Sequence, residues 1–319
     1  MTWNGALVID GHMDTPLRLV DEGRDLGNRL PGHADLPRMR EGGLDAVFLA
    51  AWIDPALADR GLARAEALLG AIRSAAERHA DRAGFAQTAD DVRRIAAEGR
   101  VALLAGVENG DALEGQVENV ARLRDLGARY LTLTWMRSNA LGDAAGGEAL
   151  NGGLTDFGRD VVIEMGRVGL LVDLAHVAPS TFDDALAAVT GPVVVSHAAT
   201  EARGAHPRNV TDEQIRAVAS TGGLVGVAFM PTYLVPGDPD AANVGVVADH
   251  LERIAEVAGP AHAALGSDLD GVPRLPRGIA GVQDLPRVPE ELARRGWREA
   301  DLAAVLGGNW LRVLDALDG

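Results

Sequence analysis

The sequence of 319 residues contains no cysteine, and it contains no lysine either, because all 30 basic residues are arginine. Without cysteine there can be no disulfide, no thiolate metal ligand and no cysteine nucleophile. Without lysine there can be no Schiff-base chemistry, no phosphate-binding P-loop lysine and no carbamylated lysine that bridges metals. Any catalytic or metal-binding chemistry must therefore use other side chains.

Basic residues are outnumbered by acidic ones, and long apolar runs are missing. The formal net charge is −16, which argues against nucleic acid or an anionic membrane as a partner, because both bind basic surfaces. No stretch approaches the 18 consecutive apolar residues of a membrane span, and the first residues lack the pattern of a secretion signal. We therefore expect a soluble, cytoplasmic protein whose partner is a small molecule.

Short apolar runs of the kind that form buried parallel strands recur along the chain. Between them lie segments such as 64–80 and 119–129, whose apolar residues recur at the three- and four-residue spacing of an amphipathic helix. Strand and helix patterns therefore alternate throughout. Eight apolar runs occur, at residues 6–12, 45–52, 101–108, 130–135, 169–176, 192–198, 224–230 and 262–268.

This alternation predicts an α/β protein with a (β/α)8 barrel of the TIM type, whose functional residues lie at the carboxyl ends of the strands. A doubly wound open sheet is the alternative, but no G-x-G-x-x-G motif follows an early strand. No linker or low-complexity stretch divides the sequence. We therefore predict a single barrel domain over residues 1–319, with a helical C-terminal tail at 302–317 that packs on the barrel.

Several of the apolar runs end in a residue that can bind a metal or transfer a proton. His12 and Asp14 follow the first run, and their spacing in an extended segment places them on one face, about 7 Å apart along the chain. A single buried histidine is usually a hydrogen-bonded core residue, but strand ends of a barrel converge, and burying many charges there without a cation is costly. The six residues are His12, Asp14, Glu108, His176, His197 and Asp268.

Three histidines, one aspartate and one glutamate form a ligand set that suits Zn²⁺, with Mn²⁺ or Co²⁺ as substitutes. Five ligands are too many for one catalytic zinc, which keeps three protein ligands and an open position. Two metals that share a carboxylate fit better. In that arrangement Glu108 bridges the metals, and a hydroxide between them is the nucleophile.

Two further residues near these motifs have less definite interpretations. His33 belongs to an H-A-D triplet with the same spacing as His12 and Asp14, but it lies in a loop rich in proline and glycine, so we expect a solvated loop residue. Asp270 follows Asp268 by two positions. It could bond to the residues that form the site, or it could cap the next turn.

Eight short motifs follow one another from residue 10 to residue 313: DGHMDTP, GVENG, YLTLTW, VDLAHV, VVVSHA, HPRNVTDE, LGSDLDGV and GGNWLRV. In this order they resemble the membrane dipeptidase, or renal dipeptidase, family of zinc peptidases within the amidohydrolase-like barrels. The resemblance covers nearly the whole chain. Each motif alone is weak, and together they are highly specific.

The resemblance implies a role for each of the six residues. His12 and Asp14 match ligands of a first zinc, and Glu108 matches the carboxylate that bridges both zinc ions. His176 and His197 match ligands of the second zinc. Asp268 resembles the proton shuttle, which takes a proton from the bridging hydroxide and passes it to the leaving amine.

The resemblance also implies residues that contact the substrate. Arg208 resembles the arginine that holds the substrate carboxylate or the developing oxyanion, a task suited to a bidentate guanidinium. Tyr233 matches a tyrosine that lines the pocket. At Trp135, however, better-known members have a histidine that helps to bind the substrate, and an indole donates one hydrogen bond and carries no charge. Asn139 is a candidate substitute donor.

We therefore predict a binuclear zinc dipeptidase that hydrolyses dipeptides with free termini, including L-Xaa-D-Xaa. A related amide, lactam or lactone hydrolase on the same site is the first alternative, since Trp135 would reshape the pocket. A non-catalytic barrel that kept the metals is the second, although no ligand is missing from the sequence. Family members tend to form dimers, so a homodimer stays open.

Overall fold

The structure is a computed structural model that describes residues 5–318. In this part of the chain the strands form one parallel sheet. Its nine strands are β1 (Ile9–Met13), β2 (Ala46–Trp52), β3 (Ala83–Phe85), β4 (Val101–Glu108), β5 (Ala128–Thr132), β6 (Leu171–Asp173), β7 (Val193–Ala198), β8 (Leu224–Val227) and β9 (Ala263–Leu265).

Eight of these strands close into a barrel, which confirms the predicted (β/α)8 fold. The sheet runs from β2 through β1 and β9 back to β4, and β2 also pairs with β4, so that the barrel has no open edge. The short strand β3 was not predicted, since its three residues contain no apolar run. It pairs with Val101–Leu103 of β4, on the edge that β5 uses from Ala105 onward.

Helices follow most strands and form the outer layer of the barrel. They are α1 (Pro16–Val20), α2 (Leu36–Glu41), α3 (Gly61–Arg78), α4 (Ala89–Ala97), α5 (Asn119–Asp125), α6 (Asp156–Val168), α7 (Pro179–Ala188), α8 (Asp212–Ser220), α9 (Pro231–Leu234), α10 (Val244–Ala258), α11 (Arg287–Arg294), α12 (Glu299–Ala303) and α13 (Asn309–Asp318). Between residues 5 and 318, no helix has both the length and the apolar character needed to cross a bilayer.

Local sequence explains where several helices begin and end. Before α8 the Thr211 side chain accepts a hydrogen bond from the backbone of Gln214, whose side chain in turn accepts from the backbone of Thr211. This reciprocal pair satisfies two amides that a helix start leaves free. Helix α6 is capped at its C-terminus by Gly169, whose φ of 70° is accessible to glycine at little cost. Such caps fix the direction in which each helix leaves its loop.

The C-terminal segment fills the amino-terminal end of the barrel. After α12 a π-helical turn (Ala304–Gly308) leads into α13, where Trp310 is fully buried. The indole packs 4.8 Å from the Phe48 ring and donates a hydrogen bond to the carbonyl of Leu265. A Cβ on Gly11 would lie only 2.1 Å from this indole, so the first strand must have glycine there. The barrel is therefore a packed core below the site.

Candidate metal centre

The six predicted residues meet at the carboxyl-terminal end of the barrel. All six are buried, the most accessible being Asp268 at 8%. Three lie in strands, His12 in β1, Glu108 at the end of β4 and His197 in β7. Of the other three, Asp14 directly follows β1, while His176 and Asp268 lie three residues after the ends of β6 and β9.

One group of ligand atoms surrounds one oxygen of Glu108. The Nε2 atom of His12 lies 3.6 Å from Oε2 of Glu108 and 3.6 Å from Oδ2 of Asp14. The carboxylate of Asp268 also comes within 4.8 Å of the His12 and Asp14 ligand atoms. These spacings fit a cation held by one nitrogen and two or three oxygens.

A second group surrounds the other oxygen of Glu108. Its Oε1 atom lies 3.0 Å from Nε2 of His176 and 3.5 Å from Nε2 of His197, and the two nitrogens are 2.9 Å apart. The two oxygens of a single carboxylate therefore have different nearest histidines, and ligand atoms of His12, Glu108 and His197 also lie within 4.8 Å of one another. Glu108 stands between the sets, where a bridging carboxylate is expected.

The hydrogen bonds of His12 fit a role as metal ligand. Its Nδ1 atom lies 2.9 Å from the hydroxyl of Tyr130, which itself donates to the carbonyl of Gly11. The hydroxyl therefore accepts from Nδ1–H, and Nε2 keeps its lone pair. Among the described residues, neither Nε2 of His12 nor Oδ1 of Asp14 has a hydrogen-bond partner, although both atoms are buried. A bound cation would satisfy both atoms.

His197 is oriented through two residues that lie behind it. Its Nδ1 atom is 2.8 Å from Oγ of Ser196, and this hydroxyl donates to Oδ2 of Asp173 at 2.6 Å. Asp173 also accepts from the Thr132 hydroxyl and from the backbone amides of Ser196 and Ala175. Because the serine proton goes to Asp173, its oxygen accepts from His197 Nδ1–H, and Nε2 faces the site as a ligand.

The pKa values of Asp268 and Glu108 are shifted in opposite directions. Burial raises the pKa of Asp268 well above its ordinary value, and the neighbouring carboxylate of Asp14 raises it further. Burial opposes ionisation of Glu108 too, but His12 and His176 outweigh it and hold the pKa of that carboxyl low. Asp268 is thus suited to hold a proton, while Glu108 is suited to stay ionised.

The segments that follow the strands have strained backbone conformations. His176 and Asp268 have φ values of 68° and 62°, a left-handed conformation that is uncommon outside glycine. Only Leu171–Asp173 of the predicted run 169–176 pairs as a strand, and the backbone turns before His176. Strain of this kind clusters at functional sites, where the surrounding contacts stabilise it.

A close approach by Gly271 completes this end of the barrel. A Cβ at this position would lie 2.1 Å from Oδ2 of Asp14 and 2.3 Å from Oδ1 of Asp268. Any other residue would therefore displace one of the two carboxyl groups.

A cavity of about 380 Å³ opens onto both groups of ligand atoms. The predicted substrate contacts Trp135 and Tyr233 line it, and the Trp135 ring packs edge-on against Trp52 at 4.9 Å and lies 6.3 Å from the His176 ring. The two indole rings therefore give the cavity an apolar wall, and the candidate ligand residues give it a polar one. The lining residues are Asp14, Leu17, Trp52, Glu108, Trp135, Met136, His176, His197, Met230, Tyr233, Asp268, Asp270 and Gly271.

Arg208, a predicted substrate contact, is buried and is not among the residues that line this cavity; it lies next to Tyr233 and His197. Its guanidinium carbon is 5.3 Å from the centre of the Tyr233 ring, and Nη2 donates to the carbonyl of His197. Its Nε atom is buried and has no hydrogen-bond partner in the described part of the chain. Burial, and after it the charge of Arg208, lowers the pKa of His176 to about 4.

The prediction that Asn139 donates to the substrate is not supported. Its amide nitrogen donates to Oδ1 of Asn109 and to the carbonyl of Leu133, while its oxygen accepts from the backbone amide of Leu141. Both amide hydrogens are used in these bonds, and Asn139 is not among the residues that line the cavity. The residue instead fixes the loop beside Glu108, which no spacing in the sequence could reveal.

The orienting residues Tyr130, Ser196 and Asp173 were missed in the sequence. Asp173 ends strand β6, but it lies inside the apolar run 169–176, so the run itself directed attention to His176 instead. Ser196 directly precedes His197, but adjacency alone does not show a hydrogen bond. Tyr130 is separated from His12 by 118 positions, and only the closed barrel brings the two side chains together.

Three solved structures are similar to this chain in sequence and fold. A crystal structure described as the dipeptidase AC, a metallopeptidase of family M19, has 28% identity and a TM-score of 0.90, with 98% of each chain covered. A metallopeptidase from Rhodobacter sphaeroides, bound to a phosphinate mimic of L-Ala-D-Ala, has the same identity and TM-score, with 98% of this chain and 99% of that chain covered. An amidohydrolase from Pseudomonas aeruginosa has 25% identity and a TM-score of 0.84, with 99% and 97% covered.

The family assignment rests on almost the entire chain. Residues 3–318 match the description "Membrane dipeptidase (Peptidase family M19)". This match confirms the family that the eight motifs indicated and the prediction of a metal-dependent dipeptidase. The chain therefore belongs to the membrane dipeptidase family, peptidase family M19.

Proposed function

We propose that this protein is a binuclear zinc dipeptidase that hydrolyses dipeptides with free termini, including those with a D-residue at the C-terminal position. The observation that carries the proposal is the position of Glu108, whose Oε2 faces His12 and whose Oε1 faces His176 and His197. One carboxylate between two ligand sets supports two metal ions rather than one. Mn²⁺ or Co²⁺ could substitute for zinc with the same nitrogen and oxygen ligands.

The five ligands divide between the two ions. His12 and Asp14 would hold the first, His176 and His197 the second, and Glu108 both. When bound, two zinc ions supply a Lewis acid for the substrate carbonyl and an activated water at neutral pH.

Asp268 performs the proton transfers in this proposal. It faces the same cavity as the ligands, and its raised pKa allows it to hold a proton in the buried site. It takes a proton as water adds to the carbonyl carbon, and it gives this proton to the amide nitrogen as the C–N bond breaks. The products are then a free carboxylate and a free amine.

Arg208, Tyr233 and Trp135 would contact the substrate. The unpartnered Nε atom of Arg208 and its guanidinium charge suit a carboxylate or an oxyanion. The Trp135 indole provides apolar surface but no charge, so electrostatic help at this position is weaker than a histidine would give. The preference for particular side chains should therefore depend on the Trp52–Trp135 wall.

Support for the L,D specificity comes from the Rhodobacter sphaeroides relative, which binds a mimic of L-Ala-D-Ala. An amide, lactam or lactone hydrolase is the second candidate, because an indole wall can favour a different substrate in an unchanged metal site. A non-catalytic barrel is disfavoured, because the five candidate ligand residues and Asp268 lie together at one end of the barrel.

The first experiment is a panel of L,L and L,D dipeptides with zinc-loaded protein, followed by release of free amino acids. A chelator-stripped sample is the matched control, and zinc content is measured in both. Zinc-dependent release establishes the dipeptidase, and the ratio of L,D to L,L turnover defines the pocket. Failure to release amino acids from any dipeptide, with two metals per chain, would favour an amide or lactone substrate.

A further inference from the structure

We infer that Asp270 is a positioning residue that holds the segment 268–271, and with it the carboxyl group of Asp268, in the geometry needed for proton transfer. The inference rests on the proposed function, because it takes Asp268 as the proton carrier. Two residues of this segment, Asp268 and Asp270, have φ values of 62° and 68°. Left-handed backbone is unfavourable for residues other than glycine, so other contacts must stabilise the segment.

The Asp270 side chain is buried, with 1% of its surface exposed, and it makes three of these contacts. Its Oδ1 atom accepts from Nε of Arg18 at 3.0 Å and from the backbone amide of His33 at 2.7 Å. Its Oδ2 atom accepts from the hydroxyl of Thr15 at 2.8 Å. The carboxylate thus joins the segment after β9 to α1 and to the loop that precedes α2.

The backbone of Asp270 makes a fourth contact with the same loop. Its amide donates to Nδ1 of His33 at 3.1 Å, so His33, expected to be a solvated loop residue, is a bonded neighbour of the site. The Asp268 carbonyl accepts from the amides of Gly271 and Val272, each at 3.2 Å, and this tight turn keeps Asp268 beside Asp14.

Loss of the Asp270 carboxylate removes three bonds and leaves the left-handed turn without its outer support. The Asp268 carboxyl would then shift relative to Asp14 and Glu108, while the five metal ligands keep their own contacts. A displacement of about 1 Å in a reacting group can cost on the order of 100-fold in rate. The expected defect is therefore in the proton transfers and not in metal binding.

The test compares zinc-loaded wild type with Asp270→Ala and Asp270→Asn on an L,D dipeptide. We expect Asp270→Ala to lower kcat by roughly 10- to 100-fold, with KM and zinc content close to wild type. Asn can accept from Arg18 and His33 and donate to the Thr15 hydroxyl, so Asp270→Asn should restore kcat to within about threefold. Equal losses in both variants, or a loss of zinc that accounts for the rate, would overturn the inference.

Glu22→Gln is the matched control, because Glu22 is the second carboxylate partner of Arg18 and lies at the surface. Its kcat should equal that of wild type. Where Asp270→Ala does not fold, Thr15→Val removes one of the three bonds without loss of a helix cap, since the Thr15 side chain does not cap α1. It should show a smaller kcat loss of the same kind, and an unchanged kcat would count against the inference.

Two readouts separate this inference from the proposed function. In a double-mutant cycle, Asp270→Ala should cause no further loss in an Asp268→Asn background if it acts through Asp268; full additivity would overturn the inference. Amide exchange at Gly271 and Val272 needs no substrate and should speed up in Asp270→Ala but not in Glu22→Gln. If no dipeptide is hydrolysed while exchange still responds, the proposed function fails and the positioning of the segment stands.

Discussion

At the amino-terminal end of the barrel, strand residues such as Ile9 and Phe48 enclose Trp310 in an apolar core. At the carboxyl-terminal end the same strands place histidines and carboxylates around a cavity. Tyr130 lies between the two ends, with its ring 5.5 Å from the Phe48 ring and its hydroxyl bonded to His12. The packed end thus supports the polar end, because a residue of the core also bonds to His12, a candidate metal ligand.

The difference shows where this fold separates stability from chemistry. Burial of Trp310 and Phe48 is favourable and requires no ligand. Burial of Glu108, Asp14 and Asp268 is costly without compensating charge. One end of the barrel therefore contributes to folding, while the other depends on cations and hydrogen bonds for its arrangement.

The largest expected effect comes from Glu108→Gln, which removes the charge between the two ligand groups. Metal binding weakens at both positions, and turnover falls by roughly 10⁴-fold or more, since both the ions and their alignment are affected. Metal content by mass spectrometry and hydrolysis of an L,D dipeptide measure the two effects. A variant that still holds two metals per chain would show that the bridging role is wrong.

Asp268→Asn is expected to keep both metals and lose most of the turnover. The amide cannot accept and return a proton, so the rate should fall by about 10³-fold, within the usual range for a general acid and base. Zinc content and kcat are measured on one preparation. An unchanged rate would remove Asp268 from the mechanism.

Trp310→Ala tests the packed end alone. Loss of this buried side chain should lower the free energy of unfolding by about 3 to 4 kcal/mol, measured by denaturant titration. Turnover per folded molecule should stay within about twofold of wild type, because Trp310 does not line the cavity. A large loss of turnover in the folded variant would break the separation between the two ends.

Ser196→Ala gives the smallest expected effect and sharpens the comparison at the polar end. It removes the acceptor that orients His197, and outer partners of this kind usually contribute about 10- to 100-fold in metal affinity. Competition with a chelator should show zinc affinity lowered by roughly tenfold, and an affinity equal to that of wild type would contradict the orienting role. Ser220→Ala, an exposed serine on α8, is the control and should bind zinc as wild type does.

The amino-acid sequence by itself determined the barrel and the family. Apolar runs alternate with amphipathic segments, a pattern that predicts the barrel. The candidate ligands end or follow these runs, because functional residues of such a barrel lie at the carboxyl ends of its strands. The sequence could not reveal β3, which is too short to form a pattern, nor the bonds that occupy Asn139. Periodicity reports which face of an element is apolar, but not which partners a polar group finds.

Only the tertiary structure showed which histidines lie nearest each oxygen of Glu108, and which residues bond to those histidines. Tyr130 and Asp270 bond to partners that lie more than one hundred positions away, and Ser196 links its neighbour His197 to Asp173 on another strand. Hydrogen bonds are short-range and directional, so they depend on the distances that closure of the barrel creates. Sequence spacing predicts which side chains lie close together only within one strand or helix.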